Sequence, residues 1–212
     1  MIDTSALTRR GLVLAGLAAW PVTAHGARGP VVTMLGDSIT AGYGLPAAAA
    51  LPARLQAELQ RRGVAAVVRN AGVSGDTTAG GLARVNFSVR PDTAVCVVAL
   101  GGNDLLQGLS PRTVRANLDG IVARLKQRKK RVVLCGLEAP PELGRNYARE
   151  FNAVFPALAR AHGVTLYPNL LAGVAGNPAL NQPDGIHPNA RGAQVIAGRL
   201  APVIAGVVAQ VA

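Results

Sequence analysis

Two histidines, His162 and His187, lie within the body of the chain, and one of them has a carboxylate close by in sequence. Asp184 precedes His187 by three residues across Gly185 and Ile186. That turn-length spacing lets the carboxylate accept from Nδ1–H, set the tautomer and leave Nε2 as a base. His162, in Ala161-His162-Gly163, reads instead as a residue at a helix end. A base of this kind needs a nucleophile, and residues after 24 include only four serines: Ser38, Ser74, Ser88 and Ser110. Ser110 precedes Pro111 as a helix N-cap, and Ser88 falls in a helical stretch. Ser38 directly follows an apolar run, where the free N–H groups that open the next turn can face a developing oxyanion. The competing assignment for Ser38 is also an N-cap. An α/β-hydrolase elbow would require G-x-S-x-G, and Thr40 stands where its second glycine belongs.

The elements that must position these residues alternate. Short apolar, β-branched runs at 31–35, 65–70, 94–100, 131–137 and 164–167 read as strands buried on both faces. Between them lie stretches of helical period: Leu51, Leu55 and Leu59; Val114, Leu118, Ile121, Val122 and Leu125; Tyr147, Phe151, Val154, Phe155 and Leu158. A last helix carries Ile196, Leu200, Val203 and Val207, with Pro202 expected to kink it. No linker separates two domains. Repeated β-α alternation implies a three-layer α/β/α domain around a mostly parallel sheet, with ligands bound outside the carboxyl ends of the strands. The loops found there are rich in Gly, Asp, Asn and Ser.

Four of those loops carry a resemblance. Gly36-Asp37-Ser38-Ile39-Thr40-Ala41-Gly42-Tyr43-Gly44, Ser74-Gly75-Asp76-Thr77, Gly101-Gly102-Asn103-Asp104 and Asp184-Gly185-Ile186-His187-Pro188-Asn189 resemble, in this order, the four blocks of the SGNH (GDSL-type) hydrolases. The Ala-Gly-Tyr-Gly extension and the Ser-Gly-Asp-Thr loop are most similar to the thioesterase I/lysophospholipase/arylesterase branch. The resemblance runs from about Val31 to the last helix. It implies a single-domain, flavodoxin-like SGNH fold with a five-stranded sheet over residues 25–212, and hydrolysis of acyl esters, thioesters or lysophospholipids without metal or organic cofactor. Carried over, Ser38 would be the nucleophile, His187 the base and Asp184 its orienting carboxylate. The backbone N–H groups of Ser38 and Gly75 and the amide of Asn103 would form the oxyanion hole. Elementary chemistry agrees: glycine at 75 keeps Cβ out of the way, and Asn103 is an uncharged donor at any working pH. Asp37, Asp76 and Asp104 are expected as loop acceptors for nearby backbone N–H groups. Glu138-Ala139-Pro140-Pro141 is expected to border the acyl groove.

Two other readings compete. Gly-Asp and Gly-Gly-Asn-Asp loops superficially suit a two-metal phosphoesterase, but such sites usually draw several imidazoles and the fold has two internal ones. A non-catalytic periplasmic binding module would need the glycine-rich loops and leave the Ser38/His187 pairing accidental.

Composition bounds the rest. The 212 residues are half hydrophobic and 16% charged, with a net charge of +11. Nineteen of the 22 cations are arginine and scattered; the one dense run, from Arg124 to Arg131, closes a helix, where cations complement the carbonyl end. Seven aromatic residues, none interleaved with that run, argue against nucleic acid as a partner. Thr8-Arg9-Arg10, an apolar stretch through Trp20, and Val22-Thr23-Ala24 read as a signal peptide over residues 1–24, too short to span a bilayer. Its paired arginines resemble the twin-arginine type, without the lysine that usually follows. The expectation is therefore an exported protein, periplasmic or secreted, monomeric and without a membrane span after cleavage, acting on a small acyl ester or lipid. Cys96 and Cys135, both in expected strands, read as small apolar core residues, with a disulfide as the alternative.

Overall fold

A computed structural model describes residues 29–211, together with Met1. The expected signal peptide and its cleavage site lie outside the described residues, apart from Met1. The five apolar runs form strands β1 (Val31–Gly36), β2 (Val67–Gly72), β3 (Thr93–Ala99), β4 (Arg131–Cys135) and β5 (Thr165–Tyr167). They make one sheet in the order β2-β1-β3-β4-β5, and every neighbouring pair is parallel. This is the flavodoxin-like order, with a switch point where the chain, having gone from β1 to β2 on one side, returns to β3 on the other.

The helices are α1 (Ser38–Ala41), α2 (Leu51–Arg61), α3 (Thr78–Ser88), α4 (Gly102–Leu106), α5 (Pro111–Gln127), α6 (Arg145–His162) and α7 (Ala190–Val208). α2 packs on α7, while α5 packs on both α3 and α6, which yields the three expected layers. The leucines spaced by four in α2 and the apolar stripe of α5 are fully buried, as their period requires. Ser110 caps α5 through its hydroxyl, which accepts from Thr113 N–H at 3.1 Å. α7 runs unbroken through Pro202, and α6 likewise contains Pro156.

Burial on both faces holds for β1, β3 and β4 but not for β2, whose residues are all half-buried or exposed, nor for β5, where only Tyr167 is buried. β2 and β5 are the two sheet edges; β2 is bonded to β1 alone, and its Arg69 forms a forked ion pair with Asp92 at 2.8 Å rather than packing in the core. Cys96 and Cys135 are free and fully buried, and burial pushes both thiols up to about 12, so they pack as small apolar groups. The cationic run that closes α5 is used internally. Arg124 donates to the carbonyl of Leu82 (2.7 Å), Arg128 to that of Val89 and Lys130 to that of Pro91 (2.6 Å), which closes the ends of neighbouring elements.

Candidate active site

Ser38 sits at the switch point, two residues beyond the end of β1. Its neighbour Asp37, not Ser38, is the N-cap of α1: the Asp37 carboxylate accepts from Ile39 N–H at 3.0 Å. Ser38 is therefore relieved of capping and becomes the first residue of the short helix. α1 can lie this close to the sheet because Gly72, at the end of β2, has no Cβ; one would stand 2.2 Å from the backbone nitrogen of Ala41. Gly42, with φ +85°, then turns the chain away.

The loop before α7 brings the other two expected residues to the same place. Ser38 Oγ lies 2.9 Å from His187 Nε2, and His187 Nδ1 lies 2.6 Å from Asp184 Oδ2. Asp184 Oδ1 also accepts the backbone N–H groups of Ile186 (2.9 Å) and His187 (3.0 Å). These bonds, led by the backbone N–H of His187 and then its ring, hold the Asp184 carboxyl down at about 2, so it is ionised at any working pH. An ionised carboxylate only accepts, so Nδ1 carries the proton, and Nε2 is left to accept from the Ser38 hydroxyl.

One residue of this arrangement, Gln182, carries no signal in sequence, and a second, Tyr43, is marked there only as part of the Ala-Gly-Tyr-Gly extension. Gln182 Nε2 donates to the carbonyls of Tyr43 (2.8 Å) and Pro188 (3.1 Å), while its backbone N–H donates to the His187 carbonyl (2.8 Å). It thus ties the serine segment to the histidine loop. The Tyr43 ring packs against the imidazole of His187, centroids 4.7 Å apart, and covers one of its faces. His162 departs from expectation in one respect: it ends α6, but its ring is bonded to Asp119 of α5 at 2.8 Å, so His187 is not the one histidine with a carboxylate. That pair joins two helices, away from Ser38.

The expected donors lie on the adjoining loops. Gly75 has φ +84°, and a Cβ there would meet nothing within 4 Å, so backbone conformation rather than crowding selects glycine. Asn103, in the first turn of α4, donates from Nδ2 to the carbonyl of Asp76 at 2.8 Å, which leaves its second amide hydrogen. Asp104 is fully buried and accepts from Thr78 N–H (2.8 Å) and Thr78 Oγ (2.5 Å), locking the start of α4 to the start of α3. Asp37 is also buried, and burial pushes its carboxyl up to about 6. Among the described residues no three His, Cys, Asp or Glu side chains stand together as a metal site would need.

Beside the serine opens an apolar cavity of about 430 Å³. Ile39, next to Ser38, and Ile186, next to His187, both line it, along with Leu106, Leu137, Pro140 and Leu171. Glu138 and Pro141 line it as well, where the sequence placed the border of an acyl groove. The volume and lining suit a small or medium apolar ligand held next to the reacting groups.

Comparison with known proteins identifies the family. A model of the GDSL-like lipase/acylhydrolase family matches residues 34–195. The esterase TesA of Pseudomonas aeruginosa is 37% identical over 180 residues, covering 84% of this chain and 90% of the relative. Thioesterase 1/protease 1/lysophospholipase L1 of Escherichia coli K12 is 37% identical over 169 residues, covering 79% of this chain and 80% of its own. Among solved structures, the SGNH-hydrolase family esterase AlinE4 superposes with a TM-score of 0.71 at 44% identity, covering 84% of this chain and 96% of that one. The chain belongs to the GDSL-like lipase/acylhydrolase family and is a hydrolase.

Proposed function

We propose that the protein hydrolyses carboxylic acyl esters, whether aryl esters, acyl thioesters or lysophospholipids, through an acyl-serine intermediate. The observation that carries the reading is the continuous relay from Asp184 through His187 to Ser38, at 2.6 and 2.9 Å. As the Ser38 oxygen attacks the acyl carbonyl carbon, its proton passes to His187 Nε2, and the ionised Asp184 stabilises the imidazolium that results. The N–H groups of Ser38 and Gly75 and the free amide hydrogen of Asn103 receive the carbonyl oxygen as it becomes an oxyanion. His187 then gives the proton to the departing alcohol or thiol, leaving Ser38 acylated. Water, deprotonated by the same histidine, attacks the acyl-serine and releases the acid.

The acyl chain occupies the apolar cavity between Ile39 and Ile186. The relatives named above are an esterase and a thioesterase/lysophospholipase, and the cavity's apolar lining fits the acyl portion such substrates share. No described helix is long and apolar enough to cross a membrane. The charged start, apolar stretch and Val22-Thr23-Ala24 site support an exported enzyme.

The test is steady-state hydrolysis of p-nitrophenyl acyl esters of increasing chain length by the wild-type protein and Ser38→Ala. A folded Ser38→Ala variant should lose at least about 10³-fold in kcat. Full activity in that variant would exclude Ser38 as the nucleophile.

A further inference from the structure

Arg84 lies on α3, outside all four loop motifs, and its side chain is only 17% exposed. Its guanidinium makes four hydrogen bonds, three of them at the carboxyl edge of the sheet. Nε donates to Asp76 Oδ2 at 2.5 Å, Nη1 to the carbonyl of Ala71 at 2.7 Å, and Nη2 to the carbonyl of Gly36 at 2.8 Å. The fourth, from Nη1 to Ser88 Oγ at 3.1 Å, stays within α3. Gly36 ends β1 two residues before Ser38, and Ala71, near the end of β2, pairs with the preceding Leu35. The Gly36 carbonyl also accepts Val73 N–H at 3.0 Å, which anchors the chain that leads into Gly75. Asp76 follows Gly75 directly, and its own carbonyl is the acceptor that orients the Asn103 amide.

One planar cation thus reaches the two segments that carry Ser38 and Gly75, and its partner Asp76 accepts through its own carbonyl from the third donor, Asn103. The helix makes room for this. A Cβ at Gly80 would stand 2.5 Å from Asp76 Oδ1, so a glycine inside α3, costly to a helix by about 1 kcal/mol, keeps the carboxylate in reach of Arg84. Only a rigid fork of donors serves acceptors in these three directions; an ammonium is a point charge on a flexible stem.

We infer that Arg84 is the positioning residue of the oxyanion hole: without touching substrate, it fixes Gly75 and Asn103 against Ser38 through Asp76 and the Gly36 carbonyl. The inference rests on the proposed acyl-serine chemistry and deepens it.

The test uses the full chain with Arg84→Ala and Arg84→Lys, and Arg124→Ala as a control that removes another arginine-to-carbonyl contact to α3, at the exposed Leu82 carbonyl, which bonds to none of the donor segments. With p-nitrophenyl butyrate, Arg84→Ala should lower kcat about 100-fold, the cost of a reacting geometry displaced by about 1 Å, with KM changed less than about threefold. Added guanidinium at millimolar concentration should restore part of the kcat of Arg84→Ala and none of Asn103→Ala, while Arg84→Lys stays impaired. In a double-mutant cycle with Asn103→Ala, the losses should be well short of additive, because both act on one set of donors. If Arg84→Ala does not fold, Asp76→Asn reads the same path and should show the same kcat loss. A kcat unchanged in folded Arg84→Ala, or additive losses in the cycle, would overturn the inference while leaving the acyl-serine reading intact. Activity retained in Ser38→Ala would instead remove the reading beneath it.

Discussion

Asp37→Asn isolates the cost of ionising a carboxyl buried beside the reacting serine. Asp37 is 4% exposed, and burial moves its carboxyl from 3.8 to about 6, against the opposing pull of the Ile39 N–H and the His187 charge and with a small push from Asp104. Folded protein therefore binds a proton more tightly than unfolded chain at this position. Its contribution to stability is fully present below pH 3.8 and is lost as pH rises through about 6. A shift of about two units corresponds to about 3 kcal/mol at neutral pH and above. Asparagine keeps an oxygen for the Ile39 N–H and caps helices as well as aspartate does, but never ionises. The melting temperature of Asp37→Asn should exceed that of the wild type by about 6–12 °C at pH 8. The gap should close toward pH 4. Thermal melts by circular dichroism at matched ionic strength, from pH 4 to 8, measure it; parallel curves for the two proteins would refute the argument, since Asp37 would then ionise as it does in unfolded chain.

Other consequences follow from the same geometry. Ala175 lines the cavity, so Ala175→Trp should reduce kcat/KM for long acyl chains far more than for acetate or butyrate; an equal loss on all chains would separate the cavity from chain binding. Cys96 and Cys135 should be silent to a thiol reagent in folded protein and both react in denaturant, and two unreactive cysteines after denaturation would indicate a disulfide instead. Asp104→Ala leaves the buried Thr78 N–H without its acceptor and should destabilise by about 1–3 kcal/mol. An unchanged urea midpoint would contradict that role.

What sequence reveals here, and what it hides, follows from the range of the interactions involved. Runs such as Val95 to Leu100 and the spaced leucines of α2 declare their elements because burial acts residue by residue. Ser38, Asp184 and His187 are legible because each sits in a local pattern that few other roles explain. The exposure of β2 is not legible, because hydropathy does not say which strand ends the sheet. Arg84, Gln182 and the His162–Asp119 pair are invisible for a related reason. Each has a partner 43 to 139 residues away in the chain that only packing brings to it. Ser38 shows the limit from the other side. Its neighbour Asp37 takes the N-cap, and no local pattern distinguishes a capping serine from one freed by the residue before it.

The central claim is that Ser38 is an activated nucleophile, and the most direct measurement is covalent capture. In purified protein treated with a fluorophosphonate, Ser38 Oγ should attack phosphorus and displace fluoride from the probe, leaving one adduct, located by mass spectrometry on the peptide containing Gly36-Asp37-Ser38. His187→Ala, folded, should label at least about 100-fold more slowly, since a general base contributes about 10²–10⁴. No adduct on folded wild-type protein, or an adduct on Ser74, Ser88 or Ser110, would contradict the account.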